Sequence, residues 1–217
     1  MSHLALPETL LEQWQHQCTQ AASFAVWPDG CQDLIGWQDP GSPAQWKLTA
    51  LMDRAEWVQA PPGRRYRGFR LAPGVQVQAP SLLQAVARLE LDDHPSVGQH
   101  LEAFTHCDPR VQEALAALAT HATLPAARRA LGVRERTLQR WVQQATGRTP
   151  LYWLALARLR RALRQLPQLD MPLADLAAAQ GYTDQPHMNL EFRRWLGQTP
   201  GALRRQPAGI ALASGHG

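Results

Sequence analysis

Positively charged side chains are concentrated in the second half of this sequence. Residues 1–108 contain seven basic and twelve acidic residues, a net charge of −5, whereas residues 109–217 contain fifteen arginines and six acidic residues, a net charge of +9. A strongly basic surface attracts nucleic acid, because neutralising phosphates releases condensed counterions. Arginine also forms two parallel hydrogen bonds to a phosphate or to the edge of a guanine. The second half is therefore predicted to bind nucleic acid.

These arginines fall within an internal repeat. Its matched apolar, glycine and Thr-Pro positions are Leu124 and Leu173, Gly132 and Gly181, Leu138 and Met188, Gly147 and Gly197, and Pro150 and Pro200. The copies are 49 residues apart up to the first glycine and 50 apart from Leu138 onward, so the turn of the second copy has one extra residue. Each copy predicts a short helix, a turn at a left-handed glycine, and a second helix over residues 135–146 or 184–196.

A helix, a short turn and a second helix form the motif that places one helix in the major groove of DNA. Between the copies, the leucines of Pro150–Leu166 predict an amphipathic helix of about 25 Å. Two units joined by such a helix could present their second helices to neighbouring major-groove segments, about 34 Å apart. One chain would then contact the two neighbouring major-groove segments that dimeric regulators contact with two chains.

The first 80 residues have a different texture, with short apolar runs separated by turn residues. We expect a short helical opening from Leu10 to Cys18 and then brief strands. The predicted strands are Ser23–Trp27, Asp33–Trp37, Trp46–Met52, Trp57–Ala60, Tyr66–Leu71 and Val75–Gln78. Helices follow, predicted as Leu82–Leu91 with Ser81 as N-cap, Pro95–Phe104, and Arg110–Thr120 after Asp108-Pro109.

The expected fold class is therefore α+β. A small mainly-β N-terminal domain, barrel-like or a sheet, occupies residues 1–80, and residues 81–120 form a helical connection that closes it. Residues 121–206 form an all-α domain with two helix-turn-helix units, and residues 207–217 are predicted to be a disordered tail. No apolar run approaches the roughly 20 residues of a membrane span, so we expect a cytoplasmic, nucleoid-associated protein with no membrane partner.

Few residues suggest other chemistry. Cys18, Cys31 and Cys107 are odd in number and form no CxxC pair, which argues against a disulfide framework and a zinc module. His16 with Cys18 and Cys31 is a weak alternative metal set, and the turn Pro28-Asp29-Gly30 favours a structural role for Cys31. The first 120 residues show no catalytic triad, metal-ligand spacing or phosphate loop, so we predict no catalytic residue, metal or cofactor.

The sequence closely resembles the AraC/XylS family of transcription regulators over roughly 85 residues. The resemblance rests on Gly132-Val-Arg-Glu-Arg-Thr-Leu-Gln-Arg140, Gly147-Arg-Thr-Pro150, Arg158-Leu-Arg-Arg-Ala162, Gly181-Tyr-Thr-Asp-Gln-Pro-His187, Glu191-Phe-Arg-Arg194 and Gly197-Gln-Thr-Pro200. A shorter resemblance to the N-terminal domain of an AraC-like subgroup rests on Trp27-Pro-Asp-Gly-Cys31, Asp33-Leu-Ile35, Gly68-Phe-Arg70 and Pro73-Gly74.

The resemblance implies a set of DNA-contacting residues on the two second helices. They are Arg134, Arg136, Thr137, Gln139 and Arg140 in the first copy, and Gln185, Pro186, Asn189, Leu190, Arg193 and Arg194 in the second. Leu190 departs from the basic or polar residue usual in the family, and it could instead contact a thymine methyl group. His187 matches a family position, where we expect a capping or packing role.

Tryptophans are frequent in the first domain, which suits it to an apolar or aromatic small-molecule effector. The candidate pocket residues are Trp27, Trp37, Trp57, Phe69 and Arg70. The basic run Arg64-Arg65-Tyr66-Arg67 is either a solvated loop or an anion contact, to an acidic effector or to the other domain.

We therefore expect a DNA-binding transcription regulator that responds to an effector, with double-stranded DNA as its main partner. RNA polymerase and a second copy of the chain are further candidate partners. Two alternatives remain open. One is a DNA-modifying or repair enzyme whose helical half only targets it, and the other is a regulator controlled by protein contact with no small molecule.

Overall fold

The computed structural model describes residues 8–167 and 171–205, so the predicted tail at 207–217 lies outside the described residues. The described chain divides into two compact units. The first comprises residues 8–24, 31–51 and 59–112, and the second comprises residues 25–30, 52–58 and 113–205 apart from 168–170. Strands dominate the first half and helices the second, which confirms the α+β class.

A four-stranded antiparallel sheet forms the frame of the first unit. Its strands are β1 (Leu10–Gln17), β3 (Gln32–Gln38), β4 (Gln45–Leu48) and β6 (Arg65–Leu71), in the order β1-β6-β3-β4. The predicted strands at 33–37 and 66–71 are thus the two central ones. The strand predicted over 46–52 ends at Leu48, where Thr49 turns its hydroxyl to accept the Asp33 backbone N–H at 2.7 Å.

The prediction of a helical opening at Leu10–Cys18 is wrong, since Leu10–Gln17 form strand β1. Leu10, Trp14 and Cys18 are four residues apart, a spacing that fits one face of a helix and also one face of a regular strand. In β1 the register shifts between Leu10 and Glu12, so Leu10 lies opposite Leu71 and Trp14 lies opposite Gly68, on different faces of the sheet. Pairing with β6 from Leu10↔Leu71 to Gln17↔Arg65 decides for the strand. This pairing joins residues far apart in sequence, which local propensity does not register.

Two helices cover the sheet and close the first unit. They are α1 (Ala79–Val86), which begins and ends earlier than predicted, and α2 (His94–Phe104), close to its predicted bounds. The core joins strand and helix residues, all almost fully buried: Leu34, Phe69, Leu71, Leu82, Val86, Val97 and Leu101. The first part of the expected helical connection therefore belongs to the core of the sheet.

Three residues of the N-terminal segments that resemble an AraC-like subgroup, Asp33, Gly68 and Arg70, lie on or next to one face of this sheet. Trp14 lies directly over Gly68 on the neighbouring strand, where any β-carbon would overlap its indole ring. The same indole donates a hydrogen bond to Asp33 at 3.2 Å, and Arg70 forms an ion pair with Asp33 at 3.3 Å. Asp33, Gly68 and Arg70 thus act together in packing this sheet.

Two short two-stranded sheets complete the strand inventory of the described residues. In one, β2 (Ala22–Val26) pairs with β5 (Glu56–Ala60), and both strands lie where the chain passes from one unit to the other. In the other, β7 (Gln76–Val77) pairs with β8 (Thr105–His106).

Helices make up most of the second unit. The first helix, α3 (Pro109–Thr120), begins in the first unit and continues into the second. The others, in chain order, are α4 (Leu124–Ala130), α5 (Glu135–Thr146), α6 (Pro150–Gln165), α7 (Leu173–Ala179), α8 (Gln185–Leu196) and α9 (Pro200–Arg204). The helices predicted at 135–146, 150–166 and 184–196 correspond to α5, α6 and α8.

Candidate nucleic-acid interface

The first helix-turn-helix is built from α4 and α5, and local sequence fixes its ends. The Thr123 hydroxyl caps α4 by accepting the Ala126 N–H at 3.3 Å. Gly132 turns the chain with φ 65°, a left-handed conformation that other residues rarely adopt, and Gly147 ends α5 in the same way with φ 67°. These are the turns that the repeat predicts.

The two faces of α5 differ sharply in composition. Leu138 and Val142 are fully buried against the rest of the unit. On the opposite side, four of the five predicted contact residues are exposed and Thr137 is half-buried; the exposed ones are Arg134, Arg136, Gln139 and Arg140. Since residues three and four apart share a helix face, Arg136, Gln139 and Arg140 form one exposed polar stripe.

The second helix-turn-helix repeats this architecture with α7 and α8. Gly181 and Gly197 have φ 78° and 71°, and Asp184 caps α8 by accepting the His187 N–H at 2.7 Å. The inner face of α8 is fully or almost fully buried, as predicted from Met188, Phe192 and Trp195.

The outer face of α8 is less polar than that of α5. Leu190 is 67% exposed, and Pro186, Arg193 and Arg194 are also exposed. Gln185 and Asn189 are half-buried. An exposed leucine between polar neighbours suits contact with an apolar group rather than a hydrogen bond to a base edge.

Helix α6 joins the two motifs. The Thr149 hydroxyl caps it by accepting the Tyr152 N–H, and Trp153, Leu156, Leu159 and Leu163 form its buried stripe. The stripe confirms the predicted amphipathic helix except at Leu151, which is 64% exposed.

Arg158 of α6 makes contacts with three parts of the second motif. Its Nη1 donates to the Gly181 carbonyl at 3.1 Å, its Nη2 pairs with Glu191 of α8 at 3.2 Å, and its guanidinium lies over the Tyr182 ring at 4.8 Å. Burial raises the pKa of the Tyr182 phenol well above its ordinary value. The sequence placed Arg158 only within the family motif, with no role assigned.

His187 has the packing and capping surroundings that we expected. Its Nδ1 accepts the Thr183 N–H at 3.3 Å, and its ring packs edge-on against Tyr182 with 5.6 Å between centroids. Its Nε2 lies 4.0 Å from Glu191.

The five candidate pocket residues are divided between the two units. Trp27, almost fully buried, and Trp57, 66% exposed, belong to the second unit. The other three belong to the first unit, where Phe69 is fully buried in the core and Arg70 is paired with Asp33. The effector pocket thus stays a prediction.

The basic run at residues 64–67 and the cysteines were the other candidates for chemistry in the first half. Arg64 pairs with Asp39 at 2.8 Å, and Arg65 and Arg67 both pair with Asp92, so local carboxylates balance this basic run. Cys18 and Cys31 are buried, and Cys107 is half-buried. Within residues 8–167 and 171–205, no three side chains of the metal-binding types cluster. Over the same ranges, no helix has the length and apolar character to cross a membrane.

The segment that matches a known protein family lies in the second unit. Residues 127–206 match the model of a family described as a helix-turn-helix domain. The chain is 41% identical over 71 residues to the HTH-type transcriptional activator RhaS of Pectobacterium carotovorum, covering 33% of this chain and 25% of RhaS. It is 32% identical over 104 residues to a putative AraC-like transcription regulator of Streptomyces antibioticus, covering 48% of this chain and 31% of the relative.

The chain thus spans about a quarter to a third of the length of these relatives. Among solved structures, the DNA-binding domain of AdpA in complex with a target DNA aligns with a TM-score of 0.39 and 27% identity, over 51% of this chain and 99% of that one. ToxT from Vibrio cholerae aligns with a TM-score of 0.46 and 6% identity, over 91% and 96% of the two chains. Both TM-scores are too low to establish a shared arrangement.

The match to the helix-turn-helix family runs from within α4 to the residue after Arg205, and so includes α5, α7 and α8. Residues 127–206 therefore match a helix-turn-helix domain family, and the chain is similar to relatives named as AraC-like and RhaS regulators.

Proposed function

We propose that this protein is a sequence-specific DNA-binding transcription regulator that reads duplex DNA with α5 and α8. The observation that carries the proposal is the repeated architecture of the second unit. Each motif buries one face of its second helix and leaves the opposite face exposed with arginines on it. A basic, exposed recognition helix is what major-groove binding requires.

The similar proteins support the same function. RhaS is named a transcriptional activator, and the Streptomyces relative is named a transcription regulator. We extend to this chain only the DNA-binding role of the aligned segment, because the alignments cover 25% of RhaS and 31% of the Streptomyces relative. A regulator of this kind works in the cytoplasm at the nucleoid, with double-stranded DNA as its partner and RNA polymerase as a second candidate.

The two recognition helices have unequal roles in this proposal. Arg136, Gln139 and Arg140 on α5 supply hydrogen bonds to base edges, and Arg134 contacts phosphate near its start. On α8, Arg193 and Arg194 hold the phosphate backbone. Leu190 contacts a thymine methyl group. The DNA subsite bound by α8 is therefore recognised more by its shape and by this methyl contact than by hydrogen bonds to base edges.

Selection of genomic fragments by the purified full-length protein tests this assignment. Arg140→Ala should relax the preference at one base position and weaken binding by about 1–3 kcal/mol. Arg194→Ala should weaken all fragments equally and reduce the salt dependence by the equivalent of about one phosphate. Arg88→Ala is the matched control, because it removes one exposed arginine of the first unit. Equal behaviour of all three variants would overturn the assignment.

Control by a small apolar or aromatic effector is the further part of the proposal, and the first half is its proposed site. Titration of the protein with a metabolite panel, followed by measurement of operator affinity, tests it. A ligand that shifts operator affinity supports effector control. If no ligand shifts it while a protein retained from cell extract does, control by protein contact replaces the effector.

We also propose that the protein is not an enzyme. The specific rival is a DNA-modifying or repair activity targeted by the helical domain. Incubation of the protein with duplex containing its selected site, followed by mass analysis of the DNA, should return unaltered strands. A cleaved or mass-shifted strand would establish the rival.

A further inference from the structure

The second unit contains two short segments from the first half of the sequence. Residues 25–30 and 52–58 belong with the helices of residues 113–205 rather than with the four-stranded sheet. These two stretches, called the clasp segments below, are absent from the span that matches the helix-turn-helix family. The helical unit is therefore not one contiguous piece of chain.

The first clasp segment lies close against α6. Arg160 of α6 donates a hydrogen bond from Nη1 to the Asp29 backbone carbonyl at 2.6 Å. Gly30 has φ 86°, and a β-carbon there would lie 2.7 Å from the Trp153 ring and 3.1 Å from Leu156. Both the backbone conformation and the close approach require glycine at this position.

The second clasp segment contacts both α6 and α8. The Tyr152 hydroxyl at the start of α6 donates to the Met52 carbonyl at 2.7 Å. The Ala55 N–H donates to the Trp195 carbonyl at 2.7 Å. This carbonyl lies in the last turn of α8, where a helix leaves its C=O groups without intrahelical donors.

Aromatic contact closes the space between these two helices. The Tyr152 and Trp195 rings pack with 5.2 Å between centroids, so the residue that holds Met52 also touches the end of α8. Arg148, just before α6, lies 3.5 Å from Asp53. The second segment thus bridges the beginning of α6 and the end of the second recognition helix.

We propose that the clasp segments are positioning elements that fix α8 relative to α6 and thereby set the geometry of the two recognition helices. The idea rests on the proposed DNA-binding function. Both segments are continuous with strands of the first half: Gly30 lies two residues before β3, and residues 56–58 begin β5.

A glycine pair supplies the first test, in the full-length protein. Gly30→Ala introduces left-handed strain and a clash with Trp153, whereas Gly41→Ala introduces the same kind of strain, at φ 75°, with no atom within 4 Å of the new β-carbon. Hydrogen exchange of α6 and the end of α8 in the free protein should become about tenfold faster or more with Gly30→Ala. Gly41→Ala should leave these amides unchanged.

DNA binding is measured on the same variants with a selected site and with a copy whose α8 subsite is scrambled. Gly30→Ala should lose affinity for the intact site by about tenfold and bind the scrambled copy like the wild-type protein. If hydrogen exchange in α6 and α8 is unchanged in Gly30→Ala, the clasp segments do not fix these helices, whatever the DNA affinity of the variant. Faster exchange with an intact preference for the second subsite would show that the segments do not set the helix geometry.

Tyr152→Phe is a milder second variant, needed if Gly30→Ala fails to fold. It keeps the ring packed on Trp195 and removes only the hydrogen bond to Met52. Residues 52–55 and the last turn of α8 should exchange faster, and affinity for the intact site should fall in the same direction by a smaller factor. If the wild-type protein binds no DNA fragment at all, the proposed function fails, and the exchange data still decide the packing.

Discussion

Arg158 and Glu191 form an ion pair of 3.2 Å between the connecting helix and the second recognition helix. Both side chains are mostly buried, with 24% and 15% of their surface exposed. Because the same guanidinium also binds the Gly181 carbonyl and lies over Tyr182, one side chain of α6 fixes the turn and the recognition helix of the second motif together.

Removing this arginine should therefore destabilise the second unit. Arg158→Ala leaves the Glu191 carboxylate without its main partner, and we expect a loss of about 2–4 kcal/mol in the free energy of unfolding. Urea unfolding followed by circular dichroism of the helices measures it. Arg164→Ala, an exposed arginine on the same helix, is the control and should cost less than about 0.5 kcal/mol. Similar losses in both variants would contradict the bridging role.

Gly68→Ala should destabilise the first unit, since the new methyl group overlaps the Trp14 indole. Overpacking of this kind costs about 1–3 kcal/mol and should disturb the hydrogen bond from Trp14 to Asp33. Gly98→Ala is the matched control: Gly98 lies inside α2 with open space around it, so alanine should stabilise the helix by up to about 1 kcal/mol. Thermal unfolding monitored by tryptophan fluorescence should shift in opposite directions for the two variants.

Stability of the second unit should fall at alkaline pH. Burial raises the pKa of Tyr152 from 10.0 to about 12. The unfolded chain therefore releases this proton at lower pH than the folded protein does, so the stabilisation is complete below pH 10 and is lost as pH rises towards 12. Urea midpoints measured from pH 8 upward should decline more steeply for the wild-type protein than for Tyr152→Phe. Parallel curves would show that Tyr152 does not contribute to the decline.

Leu190→Arg should strengthen DNA binding without a cost in stability. Leu190 is 67% exposed, so the substitution removes no buried contact. An added arginine on the outer face of α8 should raise affinity and increase the salt slope by about 0.9. Leu190→Gln, uncharged, should leave the salt slope unchanged. If Leu190→Arg changes neither affinity nor slope, the outer face of α8 does not face DNA.

Features set by neighbouring residues were predictable from sequence. Glycine at positions 132, 147, 181 and 197 takes the left-handed conformation, and Thr149 and Thr199 cap the helices that follow, because each depends on a few adjacent residues. The apolar spacing of Leu138, Val142, Met188 and Phe192 likewise fixed the buried faces of α5 and α8. The tandem motif and the exposed arginines follow from these local signals.

Other features depend on partners distant in sequence, and only the tertiary structure decided them. Leu10 and Trp14 are compatible with a helix or a strand, and pairing with β6 makes them a strand. We expected Trp27 in the first domain, but residues 25–30 belong to the helical unit. Their contacts run through backbone carbonyls, as at Asp29, and through a glycine that fits against Trp153. Every residue has the same backbone carbonyl group, so the amino-acid sequence does not indicate which carbonyl a distant arginine or tyrosine will bind.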